Sequence, residues 1–290
     1  MKTLRLTLLT ILLLFFSICS YAQPSFEGEK KLLINGTEIF INIIGQGEPL
    51  LIVHGGPGLA HDYLFEPFKQ LADKYKLIFY DQRGCGRSAE FKNDETISME
   101  ILVEDLEELR KELKIDKLNL VGQSWGAIIA LNYSFKYGQN VKKLLLLEPA
   151  PGSSEYLPLI QKTIFERLSA ADKEKFIRIS QSPNVKTNPE VFKEFMAIRT
   201  NTYFFDTTFA KLRHFDYFDS MRVTKFFASS AMFFSYLMNY NLYGNLKNIK
   251  CPTLIIHGEY DVIPTSAIEK MNSEIRGCET HIRVLLKTNN

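Results

Sequence analysis

The sequence predicts an α/β protein, a mostly parallel sheet with helices on both faces, interrupted by one helical insertion. Three observations predict it. Short runs of Leu, Ile and Val alternate with helical patterns along most of the chain, and the runs barely alternate in polarity, as strands buried on both faces do not. One stretch of some 95 residues breaks that rhythm and collects aromatic side chains instead. Of the 290 residues, 46% are hydrophobic and 23% charged, enough apolar material for a sizeable core. That excludes a disordered or fibrous chain.

The first element is assigned to export. Lys2 and Arg5 precede an apolar run from Leu6 to Ile18, which is followed by Ser20-Tyr21-Ala22. A charged start, an apolar centre and a small-x-small cleavage site make residues 1–22 a signal peptide. The run is shorter than the ~20 residues of a membrane span. We therefore expect cleavage before Gln23, an exported protein (periplasmic or secreted) and no stable membrane span afterwards. An uncleaved anchor is the alternative; bulky Ile18 argues against lipidation of Cys19. Cleavage removes two cations and no acid, so the formal charge of +2 falls to zero. A neutral chain without a basic, aromatic-interleaved block offers nothing to nucleic acid.

In the mature chain, Lys30–Ile34 and Thr37–Ile44 flank Asn35-Gly36, a two-residue hairpin signal. Buried strands are expected at Leu50–Val53, Leu77–Tyr80, Leu118–Val121, Val141–Leu147, Thr253–His257 and His281–Leu286. Between them, Ile101, Leu102, Leu106, Leu109 and Leu113 form a helical stripe over Met99–Leu113, and Trp125–Tyr137 is a second helix. From Gly152 to Leu246 no strand pattern appears, and 14 of the 41 positions between Tyr203 and Tyr243 are Phe or Tyr. We read residues 152–246 as a helical cap over a core made of residues 23–151 and 247–290. Most of those rings build the cap's own core, and the others line whatever lies beneath. Cys85, Cys251 and Cys278 have no zinc-site spacing, but Cys251 and Cys278 each shortly precede an expected strand. If those strands are parallel neighbours, the two thiols share a sheet edge, where a disulfide is an open alternative.

The chemistry-bearing residues cluster at strand ends. Gly122-Gln123-Ser124-Trp125-Gly126 follows one strand and opens a helix, where a nucleophile elbow must lie. The Ser sits in a strained turn, and small residues two before and two after it let strand and helix approach. The helix N-terminus favours negative charge developing nearby. His54-Gly55-Gly56-Pro57-Gly58 follows another strand, and its glycines allow backbone N–H groups to turn into the site. The N–H groups of Gly56 and Trp125 would form an oxyanion hole, while His54 holds the loop in shape. Gly258-Glu259-Tyr260-Asp261 follows Thr253–His257; a carboxylate there is placed to orient a histidine, with Asp261 preferred to Glu259. Asp81-Gln82-Arg83-Gly84-Cys85-Gly86-Arg87-Ser88 is expected to brace the neighbouring loops, its acid pairing with its own arginines.

Together these residues resemble the α/β-hydrolase superfamily, and within it the prolyl aminopeptidase (proline iminopeptidase) branch. The resemblance runs from about Leu32 to the last residue and rests on His54–Gly58, Asp81–Ser88 and Gly122–Gly126, in that order. It implies Ser124 as nucleophile, Asp261 as triad acid, Gly56 and Trp125 as oxyanion donors, and a small-molecule or short-peptide substrate. It implies neither a metal nor an organic cofactor.

Two departures from the branch stand out. Its histidine base belongs in the loop after the last strand, and none of His54, His61, His214, His257 and His281 fits that place. The final helix of the fold is missing as well, so we expect a truncated copy of an active enzyme rather than a dead hydrolase. Lacking the base, the chain as given should be inactive or very weak, since loss of one triad member costs several orders of magnitude. The branch also holds the substrate's free amine with carboxylates, some in the cap and one near the triad acid. Here Val262 follows Asp261, and Phe226–Tyr243 contains no Asp or Glu. An esterase or thioesterase acting on an uncharged apolar substrate is therefore one alternative, and a non-catalytic binding protein the other.

Overall fold

A computed structural model of the chain describes residues 26–91, 97–206 and 215–283. The assigned signal segment, Phe209, His214 and the expected strand residues beyond Arg283 lie outside them. β1 (Gly28–Ile34) and β2 (Thr37–Ile44) pair antiparallel. Asn35 and Gly36 between them take φ of 46° and 74°, the left-handed pair a tight hairpin turn requires to match the strand twist. Then follow β3 (Glu48–Val53), α1 (Asp62–Lys69), β4 (Tyr75–Tyr80), α2 (Met99–Glu112), β5 (Leu118–Gln123), α3 (Trp125–Tyr137) and β6 (Val141–Leu147). The insertion supplies α4 (Leu157–Arg167), α5 (Ala170–Gln181), α6 (Pro189–Asn201), α7 (Ser220–Asn239) and the short α8 (Tyr243–Leu246). β7 (Thr253–Gly258), α9 (Thr265–Glu274) and β8 (Glu279–Arg283) complete the described chain.

The eight strands lie in the order β1-β2-β4-β3-β5-β6-β7-β8. From β4 to β8 every pairing is parallel. Residues alternate between two covered faces, as the pleat demands. Leu51, Val53, Ile78, Leu120, Leu144 and Leu146 meet side chains of α2, α3 and α9 on one face. Ile52, Leu77, Phe79 and Val121 meet Tyr63, Leu64 and Phe68 of α1 on the other. That second face thins out toward β8, where Leu145, Leu147, Leu254, Ile256 and Ile282 are only half-buried.

Two expectations are corrected here. β8 starts at Glu279, which pairs with Leu254 of β7, so His281 lies mid-strand and exposed rather than opening the strand. Backbone pairing along β7, not apolar content, sets where this strand begins. Cys251 and Cys278 do sit beside parallel neighbours, yet both are free thiols, as is buried Cys85. The register places Thr253, not Cys251, next to the start of β8, so the sulfurs are out of step.

The insertion is helical and holds two aromatic-aliphatic clusters of its own, around Phe192, Met196, Phe218 and Val223 and around Leu168, Ile179, Val185 and Ile198. Its two ends are different. Ile160, Ile164, Phe233, Tyr240, Tyr243 and Leu246 join the main core. Among the described residues no helix is long and apolar enough to cross a membrane.

Candidate functional site

β5 is buried along its whole length, and the chain reverses from it into α3 through Ser124, at φ 52° and ψ −117°. A non-glycine residue in such a conformation costs about 1–3 kcal/mol and persists only where its surroundings over-determine it. Here Ser124 N donates to Leu147 O at 3.2 Å, while Ala127 N and Ala150 N donate to Ser124 O at 2.9 and 3.2 Å. The flanking glycines are required by contact. A Cβ on Gly122 would lie 2.6 Å from Ala127 Cα, and one on Gly126 only 2.2 Å from Val53 O. Ser124 is half-buried, and its hydroxyl has no hydrogen-bond partner among the described residues.

The loop after β3 touches this serine: a Cβ on Gly55 would come within 3.2 Å of Ser124 Cβ. Gly56 has φ 136° and Gly58 lies against the backbone of Phe226 in α7, with a cis Gly56-Pro57 peptide between them. His54 is fully buried; its Nδ1 donates to Gly55 O at 2.7 Å and its Nε2 accepts from Gln82 N at 3.0 Å. Acceptance at Nε2 needs a neutral ring, and burial lowers the His54 pKa to about 4. Trp125 opens α3 wholly buried, donates from Nε1 to Gln82 Oε1 at 3.1 Å, and packs against Phe233 and Tyr236 of α7. The peptides of the glycine loop and of Trp125 thus border Ser124 together.

The loop after β4 braces its neighbours in a pattern that differs from the expected internal pairing. Asp81 is bound by His61 Nδ1 at 2.8 Å and by the backbone N–H of Arg87. Burial raises its pKa, but the hydrogen bond and charge of His61 outweigh it, and the net direction is down. Arg83 instead forks onto Asp105 of α2 at 2.7 and 2.8 Å, both side chains buried. A guanidinium needs a carboxylate it can meet edge-on, and the neighbour along the chain does not present one.

Asp261 lies in the turn after β7, where its N donates to Gly258 O and its Oδ1 accepts from Ile263 N at 2.9 Å. Arg167 of α4 bridges cap and turn, donating to Tyr260 O and Asp261 O and stacking on the Tyr260 ring at 3.8 Å. Glu259, the fallback acid, is exposed. His257 on β7 is buried; its Nε2 donates to Ile263 O at 3.0 Å, and its Nδ1 has no partner. Burial lowers its pKa. His54, His61 and His257 are thus bound into loops, His281 is exposed on β8, and His214 lies outside the described residues.

One residue escaped the sequence patterns. Glu148 ends β6 with φ 43°. Because Gln123 pairs with Leu147, Glu148 is the next register neighbour of Ser124. Its own N–H donates to Ile256 O of β7. The signal was present as Glu148-Pro149, a dipeptide in which proline steers the preceding residue to extended backbone. The structure instead forces it left-handed.

The arrangement of strand-end loops, elbow and cap has a counterpart among known proteins: the alpha/beta hydrolase fold matches residues 48–282. The chain belongs to that family. Within the alpha/beta hydrolases its sequence is prolyl aminopeptidase-like. A proline iminopeptidase of Saccharolobus solfataricus is 28% identical over 277 residues, covering 91% of this chain and 86% of the relative. One of Lactobacillus helveticus is 34% identical over 156 residues, 48% of this chain and 53% of the relative. The crystal structure of a Mycobacterium smegmatis proline iminopeptidase superposes with TM-score 0.63 at 18% identity, covering 89% and 90% of the two chains. An esterase from Exiguobacterium antarcticum gives 0.62 at 22%, covering 89% and 90%. The structural likenesses show the fold alone.

For a metal, His61, Asp62 and Asp81 offer donor atoms within 4.8 Å of one another. His61 and Asp81 already bind each other, and Arg87 and Arg222 stand 3.7 Å from Asp62, so that group has its counter-charges. A cavity of about 630 Å³ between β1, the Asp81–Ser88 loop and the start of α7 contains none of the candidate site residues.

Proposed function

We propose that this alpha/beta hydrolase is an exported serine hydrolase of the proline iminopeptidase kind, cleaving an acyl bond through a Ser124 acyl-enzyme. The observation that carries the reading is the Ser124 turn: a strained serine at a helix N-terminus, next to a glycine-rich loop, whose side chain makes no cap hydrogen bond and has no hydrogen-bond partner among the described residues. In this reading Ser124 Oγ attacks the acyl carbon. The oxyanion that forms accepts from the N–H groups of Gly56 and Trp125, worth about 3–4 kcal/mol per donor in such sites. Asp261 orients the base. His54, Gly55, Pro57, Gly58, Gly122 and Gly126 shape the two loops. The substrate is a small molecule or short peptide, preferably with N-terminal proline, as the names of the relatives suggest. Residues 152–246 act as the cap, and Met1–Ala22 directs export.

Hydrolysis of an uncharged ester or thioester is the second reading. What favours it is the cap wall, where Phe226–Tyr243 carries no charged side chain and Phe233 and Tyr236 stand against Trp125.

A fluorophosphonate probe tests the nucleophile. We expect slow, stoichiometric labelling that maps to Ser124 and disappears in Ser124→Ala, slow because no described histidine bonds the hydroxyl. Labelling that survives the substitution would remove Ser124 from the mechanism.

A further inference from the structure

Two side chains tie the glycine loop after β3 to the turn at Ser124, one on each side of the serine. On the trailing side, Gln82 Nε2 donates to His54 O at 2.6 Å, and its Oε1 accepts from Trp125 Nε1. On the leading side stands Tyr63 of α1. Gly55 N donates to its hydroxyl at 2.6 Å, and the hydroxyl donates in turn to Gln123 Oε1 at 2.6 Å. Nothing in the chain order announces this second link, since 60 residues separate Tyr63 from Gln123.

Packing holds the ring. Tyr63 is buried in the cluster that contains Ile52 of β3 and Val121 of β5, the strands whose ends its hydroxyl joins. The approach is close: a Cβ on Gly55 would lie 2.5 Å from Gln123 Oε1 and 2.8 Å from the Tyr63 hydroxyl oxygen. The bond also sorts the N–H groups of the loop. Gly55 N is spent on Tyr63, whereas Gly56 N and Trp125 N donate to nothing among the described residues. Trp125 opens α3, and the first N–H groups of a helix have no partner within it. Two open N–H groups on separate loops serve one oxygen only if the distance between the loops is kept. In such sites a misplacement of ~1 Å can cost about a hundredfold in rate.

We propose that Tyr63 is a positioning residue of this site, whose hydroxyl clamps Gly55 to Gln123 and so sets the spacing between the Gly56 and Trp125 N–H groups. The inference rests on the Ser124 reading, which supplies the oxyanion that those groups would receive.

Fluorophosphonate labelling of the whole chain tests it without requiring turnover. Ser124 Oγ bonds to phosphorus, fluoride leaves, the hydroxyl proton passes to solvent, and the phosphoryl oxygen takes the place of the oxyanion. Tyr63→Phe should lower the maximal labelling rate about tenfold to a hundredfold, with the half-saturating probe concentration unchanged. The phosphorus NMR resonance of the wild-type adduct should differ from that of the same adduct unfolded in urea. In Tyr63→Phe it should move toward the unfolded value, a change that a loss of stability alone does not produce in a folded adduct. Gln123→Met cuts the other end of the clamp and should act in the same way. The double variant should lose no more than either single one, because both remove one bridge. Should Tyr63→Phe fail to fold, Gln123→Met supplies the same two readouts. A wild-type rate in the folded variants, a slower rate with an unmoved resonance, or additive losses in the double variant would each overturn the proposal. The two ideas fail differently. Labelling of Ser124 that is indifferent to Tyr63 defeats this inference alone, whereas labelling that survives Ser124→Ala, or none at all, defeats the Ser124 reading and this inference with it.

Discussion

The sheet domain and the helical insertion are built to different tolerances. In the sheet domain, backbone meets backbone: Gly126 against Val53 and Gly122 against Ala127 leave no room for one extra carbon. In the insertion, rings meet rings, with Phe192 contacting Phe218, Phe226 and Phe227 at centroid distances of 4.7–5.8 Å. Backbone contacts specify a position to a fraction of an ångström, whereas ring clusters tolerate exchange as long as volume is kept. The first kind of construction holds the candidate nucleophile, and the second packs against Trp125 beside it. Accuracy is concentrated where a reacting atom would sit.

Glycine substitutions put the largest expected effect on that contrast. Gly126→Ala should cost more than about 4 kcal/mol or prevent folding, because the atom it would meet is a strand carbonyl that cannot swing away. Gly244→Ala, in α8 with open space around it, should change stability by no more than about 0.5–1 kcal/mol, in the stabilising direction. Urea denaturation of the two variants gives the comparison directly. Similar costs at both positions would erase the distinction between the regions.

Phe192→Ala attacks the insertion in its own terms. The side chain is wholly buried in the ring cluster of α6 and α7, so its loss should cost about 3–5 kcal/mol. Hydrogen exchange should locate the damage. Amides of α5 and α6 are expected to lose protection while β3, β5 and β6 keep theirs, since the Phe192 cluster contains no strand residue. Equal loss in the sheet would mean that cap and core unfold as one unit.

How much of this was visible in the sequence follows the same division. The mostly parallel direction of the central strands, the Asn35-Gly36 turn and the strand-to-helix turn at Ser124 were legible because glycine positions and unbroken apolar runs report backbone constraints locally. The start of β8 was not, because Glu279 and Thr280 enter the strand by pairing with β7, and an edge strand has no apolar signature there. The partner of Asp81 was hidden for a similar reason: His61 is 20 residues away and meets it only through the fold, while Arg83, two residues away, turns to Asp105. Glu148 drew no attention in the sequence because Glu-Pro suggests ordinary extended backbone, whereas it takes φ 43° beside the neighbouring strands. Local sequence marked the turn at Ser124; tertiary contacts decided its surroundings.

Acid should loosen the sheet domain through its buried loops. In the folded chain His54 has a pKa of about 4, below the ordinary 6.5, so between those values the unfolded chain binds a proton that the folded chain refuses. Stability therefore falls as pH drops from 6.5 toward 4, by roughly 3 kcal/mol when the window has been crossed. Asp81, whose pKa is lowered from 3.8, adds its own loss only below that value. His54→Gln should flatten the upper part of the curve, measured as unfolding free energy against pH. An unchanged slope in that variant would place the titration elsewhere.

The smallest effect belongs to the seam between the two regions. Lys225 of α7 is buried and donates to Gly86 O and Ser88 O, reaching from the cap into the loop that Asp81 holds. Burial lowers its pKa, a sign that the charge is desolvated at some expense and that its bonds offset only part of it. Lys225→Met keeps the aliphatic stem and removes both bonds, so the net change in global stability should be no more than about 1–2 kcal/mol. Its effect on motion should be larger in proportion. The two freed carbonyls can recover bonds to water only if α7 lifts from the loop, and exchange of the α7 amides should quicken while those of α3 stay slow. If α7 keeps wild-type protection, Ser229, Ser230 and the Phe226–Gly58 contact hold the seam without the lysine, and the polar clamp is incidental to how the cap is held down.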